Sequence, residues 1–137
     1  MMYRCLIANR GEIAVRIIRA CRELNIETVA IYAKGDENSL HVSLADQAIC
    51  IGEANPLDSY LNIDRIISAA KVTESNVIHP GYGFLSESTN FAKAVEDNHI
   101  HFIGPSKTTM EMMGDKITAR QTVKQAGVPV IPGSNDA

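Results

Sequence analysis

Two short apolar runs, Cys5 to Ala8 (CLIA) and Thr28 to Tyr32 (TVAIY), bracket a stretch of helical periodicity. This strand-helix-strand signature constrains the fold more than any other feature of the chain. Gly11 to Leu24 places Ile13, Ala14, Ile17, Ile18, Cys21 and Leu24 on one stripe, and Glu12, Arg16, Arg19 and Glu23 on another. Further apolar runs follow at AICI (Ala48 to Ile51), Val77-Ile78 and Phe102-Ile103. The first three runs are continuously apolar, as parallel strands covered on both faces require. Helices are predicted after Asn62 (Ile63, Ile66, Ile67, Ala70), around Phe91, Ala92 and Val95, and after Ser106 with Met110 and Met113 inward. Another is predicted from Lys116 to Ala126, with Asp115 as N-cap and Gly127 and Pro129 as stops. This order implies right-handed crossovers and an open, mostly parallel α/β sheet of about five strands with helices on both faces.

In such sheets, function gathers in the loops that leave the carboxyl ends of strands. Three loops qualify: Asn9 to Glu12, His79 to Glu87, and Gly104 to Ser106. The tail VPVIPGSNDA rises in Pro, Gly and polar residues like a boundary, with one more apolar run just begun. The expected division is therefore residues 1–113 as one domain and 114–137 as the start of the next.

Composition removes several function classes. The 13 Lys and Arg against 16 Asp and Glu give a net charge of −3, and there is no Trp. A nucleic-acid surface usually needs a basic excess and stacking aromatics, so no nucleic-acid partner is expected. Cys5, Cys21 and Cys50 are odd in number and lack C-x-x-C spacing. They are expected to be buried thiols in a reducing, cytoplasmic setting, not a disulfide or zinc framework. The amino terminus reaches charge too soon for a signal peptide, and no run approaches the roughly 20 apolar residues of a membrane span.

Four motifs carry chemical possibilities. HPGYGFLSE, His79 to Glu87, resembles a dinucleotide fingerprint whose third glycine is Ser86, but it follows the fourth strand instead of the first. It is either a tight strand-to-helix turn or a rigid loop presenting Tyr82, backbone N–H groups and Glu87. NAD binding would also require an acidic residue directly after the second strand, where Tyr32-Ala33-Lys34 stands, with Asp36-Glu37 later. MGDK, Met113 to Lys116, puts a lysine at a helix start: a solvated cation or half of an anion site. On the charged stripe, Glu12–Arg16 and Arg19–Glu23 have i,i+4 spacing; a solvated face is the default and a protein interface the alternative. His99 and His101 lack further ligands for a metal, and there is no G-x-S-x-G nucleophile motif.

Taken in order, IANRGEIAVRIIRACRELNIETVAIY, HVSLADQAICIG, SYLNIDRIISAA, IHPGYGFLSE, FIGPS and MGDKITAR resemble the amino-terminal domain of biotin carboxylases across nearly the whole chain. The resemblance implies a Rossmann-like domain followed by an ATP-grasp domain and a carboxyl-terminal domain. It implies ATP-dependent carboxylation of biotin on a carrier protein, through carboxyphosphate made from bicarbonate, with Mg²⁺ or Mn²⁺. By the same resemblance Lys116 contacts nucleotide phosphates, Tyr82 and Gly83 border the biotin pocket, and Glu87 lines the same cavity. Arg19 and Glu23 lie at a homodimer interface. The glycines of HPGYGFLSE would then serve close approach of substrate and of the neighbouring domain. The phosphate flap, metal-binding glutamates and bicarbonate-binding residues of the family fall beyond Ala137. The chain alone is thus expected to be inactive, with no catalytic residue or metal ligand of its own. HVSLADQAICIG and MGDK resemble the acetyl-CoA carboxylase subunit more than pyruvate carboxylase. That points to biotin carboxyl carrier and carboxyltransferase partners and to malonyl-CoA supply for fatty-acid synthesis. A non-catalytic scaffold or dimerisation module of the same fold is the alternative class.

Overall fold

The structure is a computed structural model that describes residues 2–114, with the side chains of residues 113 and 114 left aside. The expected helix from Lys116, its Asp115 cap, Lys116 itself and the inward Met113 side chain lie outside the described residues, as does the segment 114–137 apart from Gly114.

Five strands form one parallel sheet: β1 (Arg4–Ile7), β2 (Glu27–Ala33), β3 (Gln47–Gly52), β4 (Val77–His79) and β5 (His101–Phe102). Their spatial order is β3-β2-β1-β4-β5. The helices are α1 (Gly11–Glu23), α2 (Leu40–Leu44), α3 (Ile63–Val72), α4 (Thr89–Asp97) and α5 (Lys107–Gly114), with a 3-10 turn at Pro56–Asp58.

Alternation along β1 divides the core. Leu6 packs with Val29, Ile31, Ile78 and the inner faces of α3 and α4. Cys5 and Ile7 pack with Ala14, Ile18 and Cys21 of α1 on the opposite side. This is the three-layer arrangement anticipated from the sequence.

Capping follows the residue chemistry. Asn62 Oδ1 accepts from Arg65 N at 3.1 Å, and Ser106 Oγ accepts from Thr109 N at 3.1 Å. Ser88 caps α4 in the same way through Phe91 N. Three helices end alike, with Asn25, Glu74 and His99 in the left-handed region. In each, the next residue's N–H closes a six-residue turn: Ile26 to Cys21 O, Ser75 to Ala70 O and Ile100 to Val95 O.

Three expectations are corrected. β3 is not covered on both faces. It pairs only with β2 among the described strands, and the five-residue α2 packs against α1 and β2 instead of over it. Only Ile51 of this strand is buried, so Cys50 is exposed, unlike Cys5 and Cys21. Leu24 does not complete the core stripe of α1; it is exposed, and Val15 is buried in its place. The Glu12–Arg16 and Arg19–Glu23 pairs do not form, whereas Lys93–Asp97 on α4 does, at 2.6 Å. Surface pairs of this kind gain so little that i,i+4 spacing alone does not dictate which of them form. Among the described residues, no helix is long and apolar enough to cross a membrane.

Candidate functional site

The strand order reverses at β1. From it the chain runs outward through β2 and β3, then returns to lay β4 on the other side. The loops after β1 and β4 therefore leave the carboxyl edge side by side, at the position where open α/β sheets bind ligands. These are two of the three loops selected from the sequence, and they are joined. Asn9 Nδ2 donates to Pro80 O at 2.9 Å and to Tyr82 O at 2.6 Å. Asn9 Oδ1 accepts from Arg10 N at 2.8 Å.

The glycines of the 79–87 loop serve this junction. Gly81 and Gly83 have φ of 66° and 68°, and Phe84 follows at 44°. A Cβ on Gly81 would stand 2.7 Å from Asn9 Nδ2 and 2.8 Å from Ile13 Cγ2, while one on Gly83 would meet nothing within 4 Å. The expectation that both serve approach of substrate and a neighbouring domain is thus corrected for Gly81, whose close approach is to Asn9 and Ile13 of this same domain. Among the described residues Gly83 makes no such approach, and its φ is what requires a glycine there. His79 Nδ1 accepts from Gly81 N at 3.0 Å, which requires an unprotonated Nδ1. Burial holds the His79 pKa below its usual value, in keeping with that bond.

Tyr82 is 76% exposed, and Gly83 and Glu87 are also exposed. Tyr82 lines a groove of about 550 Å³ along α1, together with Ile13, Arg16, Ile17, His79 and Ile103. Part of the apolar stripe read as core is therefore groove wall. Arg19 and Glu23 are exposed on α1 outside that lining. The structure gathers Tyr82, Gly83 and Glu87 on one loop and leaves Arg19 and Glu23 on a separate face. Lys116 lies outside the described residues.

Sequence reasoning missed the floor beside this loop. Tyr60 is fully buried, its ring stacked on Phe84 at 5.3 Å. The Arg10 guanidinium lies over both rings, at 5.2 Å from Tyr60 and 5.5 Å from Phe84. Tyr60 Oη accepts from Ala33 N at 3.0 Å and donates to Asp36 Oδ2 at 2.6 Å. Burial, then the Asp36 carboxylate, pushes the Tyr60 phenol far above its usual range, so it stays a donor. Asp36 also faces Arg10 at 3.9 Å. Asp36, which follows β2 later than an NAD site would require, is thus engaged by Tyr60 and Arg10. The available signal was Arg10 in a selected loop with Asp36 after β2; the aromatic pair between them, 24 residues apart in sequence, carried none. Among the described residues, no three His, Cys, Asp or Glu side chains cluster as metal ligands.

The fold and this loop junction define a Rossmann-like α/β domain whose carboxyl edge, at the strand-order reversal, is built by the turns after β1 and β4. A family model described as "Biotin carboxylase, N-terminal domain" matches residues 1–110, and the chain belongs to that family. Biotin carboxylase 1 of Bacillus subtilis (strain 168) is 58% identical over 134 residues, covering 98% of this chain and 30% of the relative. Pyruvate carboxylase of the same organism is 53% identical, covering 96% of this chain and 12% of the relative. Among solved structures, the biotin carboxylase domain dimer of Hydrogenobacter thermophilus 2-oxoglutarate carboxylase, in complex with MgADP, ADP and bicarbonate, superposes with a TM-score of 0.90. It is 51% identical, with 98% of this chain and 30% of that chain covered. The chain thus spans about three-tenths of the biotin carboxylases it matches.

Proposed function

We propose that this domain is the amino-terminal part of an ATP-dependent biotin carboxylase, and that its 79–87 loop is one wall of the biotin pocket. One observation carries the proposal: at the strand-order reversal, Asn9 fastens the loop whose exposed Tyr82 lines an apolar groove. An exposed aromatic on a fixed backbone suits a flat, largely apolar bicyclic ligand, because a rigid ring supplies contact area at low entropic cost. In this reading Gly83 and Glu87, exposed on the same loop, border the biotin pocket. Lys116 is the nucleotide-phosphate contact, a point charge suited to ATP.

The described residues do not fit a Mg²⁺ or Mn²⁺ site, since they offer no ligand cluster. In this reading the metal and bicarbonate are held by other parts of the enzyme, and the domain supplies positioning alone. Arg19 and Glu23, exposed on α1, belong to a homodimer face; the Hydrogenobacter thermophilus domain is described as a dimer. The enzyme works in the cytoplasm as the biotin carboxylase subunit of acetyl-CoA carboxylase, with carrier protein and carboxyltransferase partners. HVSLADQAICIG and MGDK support that assignment. A pyruvate carboxylase is the second reading, favoured by the 53% identical relative. Carboxylation of acetyl-CoA against pyruvate, with the matching carboxyltransferase, separates them.

The test uses a replacement enzyme: Bacillus subtilis Biotin carboxylase 1 carrying this chain in place of its matching 134 residues. Tyr82→Ala is expected to raise its KM for free biotin about tenfold, a loss of about 1.4 kcal/mol of contact, with the KM for ATP unchanged. Equal biotin kinetics with and without the tyrosine ring would remove the loop from the pocket.

A further inference from the structure

Asn9 is 1% exposed and stands just beyond the end of β1. Its amide carries two hydrogens, and both are used on loop carbonyls 71 and 73 residues away in sequence, on either side of Gly81. Its oxygen is used on Arg10 N, so the carboxamide orientation is fixed: a flipped amide would set oxygen against two carbonyl oxygens. These bonds reach only the loop and Asn9's own turn.

The loop needs such a constraint. Gly81, Gly83 and Phe84 all have positive φ, a run that an unrestrained chain does not hold. Asn9 fixes the backbone around Gly81, and the Arg10 guanidinium over the Phe84 ring grips it beyond Gly83. Tyr82 lies between the two grips, its side chain free and its carbonyl held.

We propose that Asn9 is a positioning residue for biotin carboxylation: its carboxamide, with Arg10 beside it, sets the angle at which the loop presents Tyr82 to biotin. The inference rests on the reading of this loop as a wall of the biotin pocket. It extends that reading from the residue that would touch the substrate to the one that aims it.

Asn9→Asp keeps the shape of the side chain, deletes both amide hydrogens and sets a carboxylate against two carbonyls. In the replacement enzyme it is expected to raise the KM for free biotin at least tenfold while the KM for ATP stays within twofold. A loss shared equally between biotin and ATP, or none, overturns the proposal. Tyr82→Ala runs beside it. If that variant raises the biotin KM and Asn9→Asp does not, the positioning role falls and the pocket reading stands. If Tyr82→Ala has no effect, both fall. Should Asn9→Asp not fold, nuclear magnetic resonance on the unsubstituted 137-residue chain decides. Two resolved Asn9 side-chain amide protons in slow exchange with solvent support the clamp, and fast-exchanging protons overturn it.

Discussion

Gly52→Ala is expected to be the most destabilising single-methyl change in the described fold, costing on the order of 3–5 kcal/mol. Gly52 ends β3 at a φ of 152°, a conformation closed to residues with a Cβ. A Cβ there would sit far inside van der Waals contact distance of the Asp58 carbonyl oxygen, which is backbone and cannot rotate away. Asp58 belongs to the 3-10 turn Pro56–Asp58, held by Asn55 Oδ1 accepting from Leu57 N at 3.0 Å and by Ser59 Oγ donating to Asn55 O at 3.0 Å. Moving that turn shifts Ser59 and Tyr60, both fully buried, and with Tyr60 the ring under Phe84 and Arg10. A loss of this size is a large share of the 5–15 kcal/mol typical of a domain. Urea unfolding followed by circular dichroism measures it. An unfolding free energy within about 1 kcal/mol of the unsubstituted chain's would show that the turn can move aside freely.

Gly81→Ala is expected to be the largest single perturbation of the site. The left-handed φ costs an alanine about 1–2 kcal/mol, and the new methyl would press on Asn9 Nδ2 and Ile13 Cγ2. The overpacking adds roughly 1–3 kcal/mol. Gly83→Ala is the internal comparison, because its φ is nearly the same and its Cβ would meet open space. The two variants share the conformational cost, so their difference in unfolding isolates the close approach to Asn9. Gly81→Ala should unfold at lower urea than Gly83→Ala, and in the replacement enzyme it should raise the biotin KM. Equal losses of stability in the two variants would leave backbone freedom as the whole role of Gly81.

The helices and the alternation of elements were legible because they depend on local chemistry. Asn62 and Ser106 cap the helices they were expected to cap, and α1 begins at Gly11 as its periodicity requires. The carboxyl-edge rule selected the loops that meet at β1 and β4. It could not show that they bond to each other, because strand order is a tertiary property with no period of its own. For the same reason AICI read as a doubly covered strand. Its residues are those of an interior strand, yet β3 lies at the sheet edge and Cys50 faces solvent. α2 is five residues long and was invisible to a 3.6-residue pattern; it is marked by His41, buried with Nε2 3.0 Å from Ile31 O. The 3-10 turn is shorter still. The Arg10, Tyr60 and Phe84 stack joins three loops, and no spacing announces a contact of that kind.

HPGYGFLSE was ambiguous between a tight turn and a rigid loop presenting Tyr82 and Glu87, and the structure gives it features of both. Gly81 and His79 make it a tight turn bonded into its own domain, while Tyr82, Gly83 and Glu87 face outward. The measurement that tests this account most directly is ATP-dependent transfer of radiolabelled bicarbonate to free biotin by the replacement enzyme. The account predicts turnover within about tenfold of the parent Bacillus subtilis enzyme, with biotin saturation preserved. A folded replacement enzyme that binds ATP and fixes no label into biotin would contradict it.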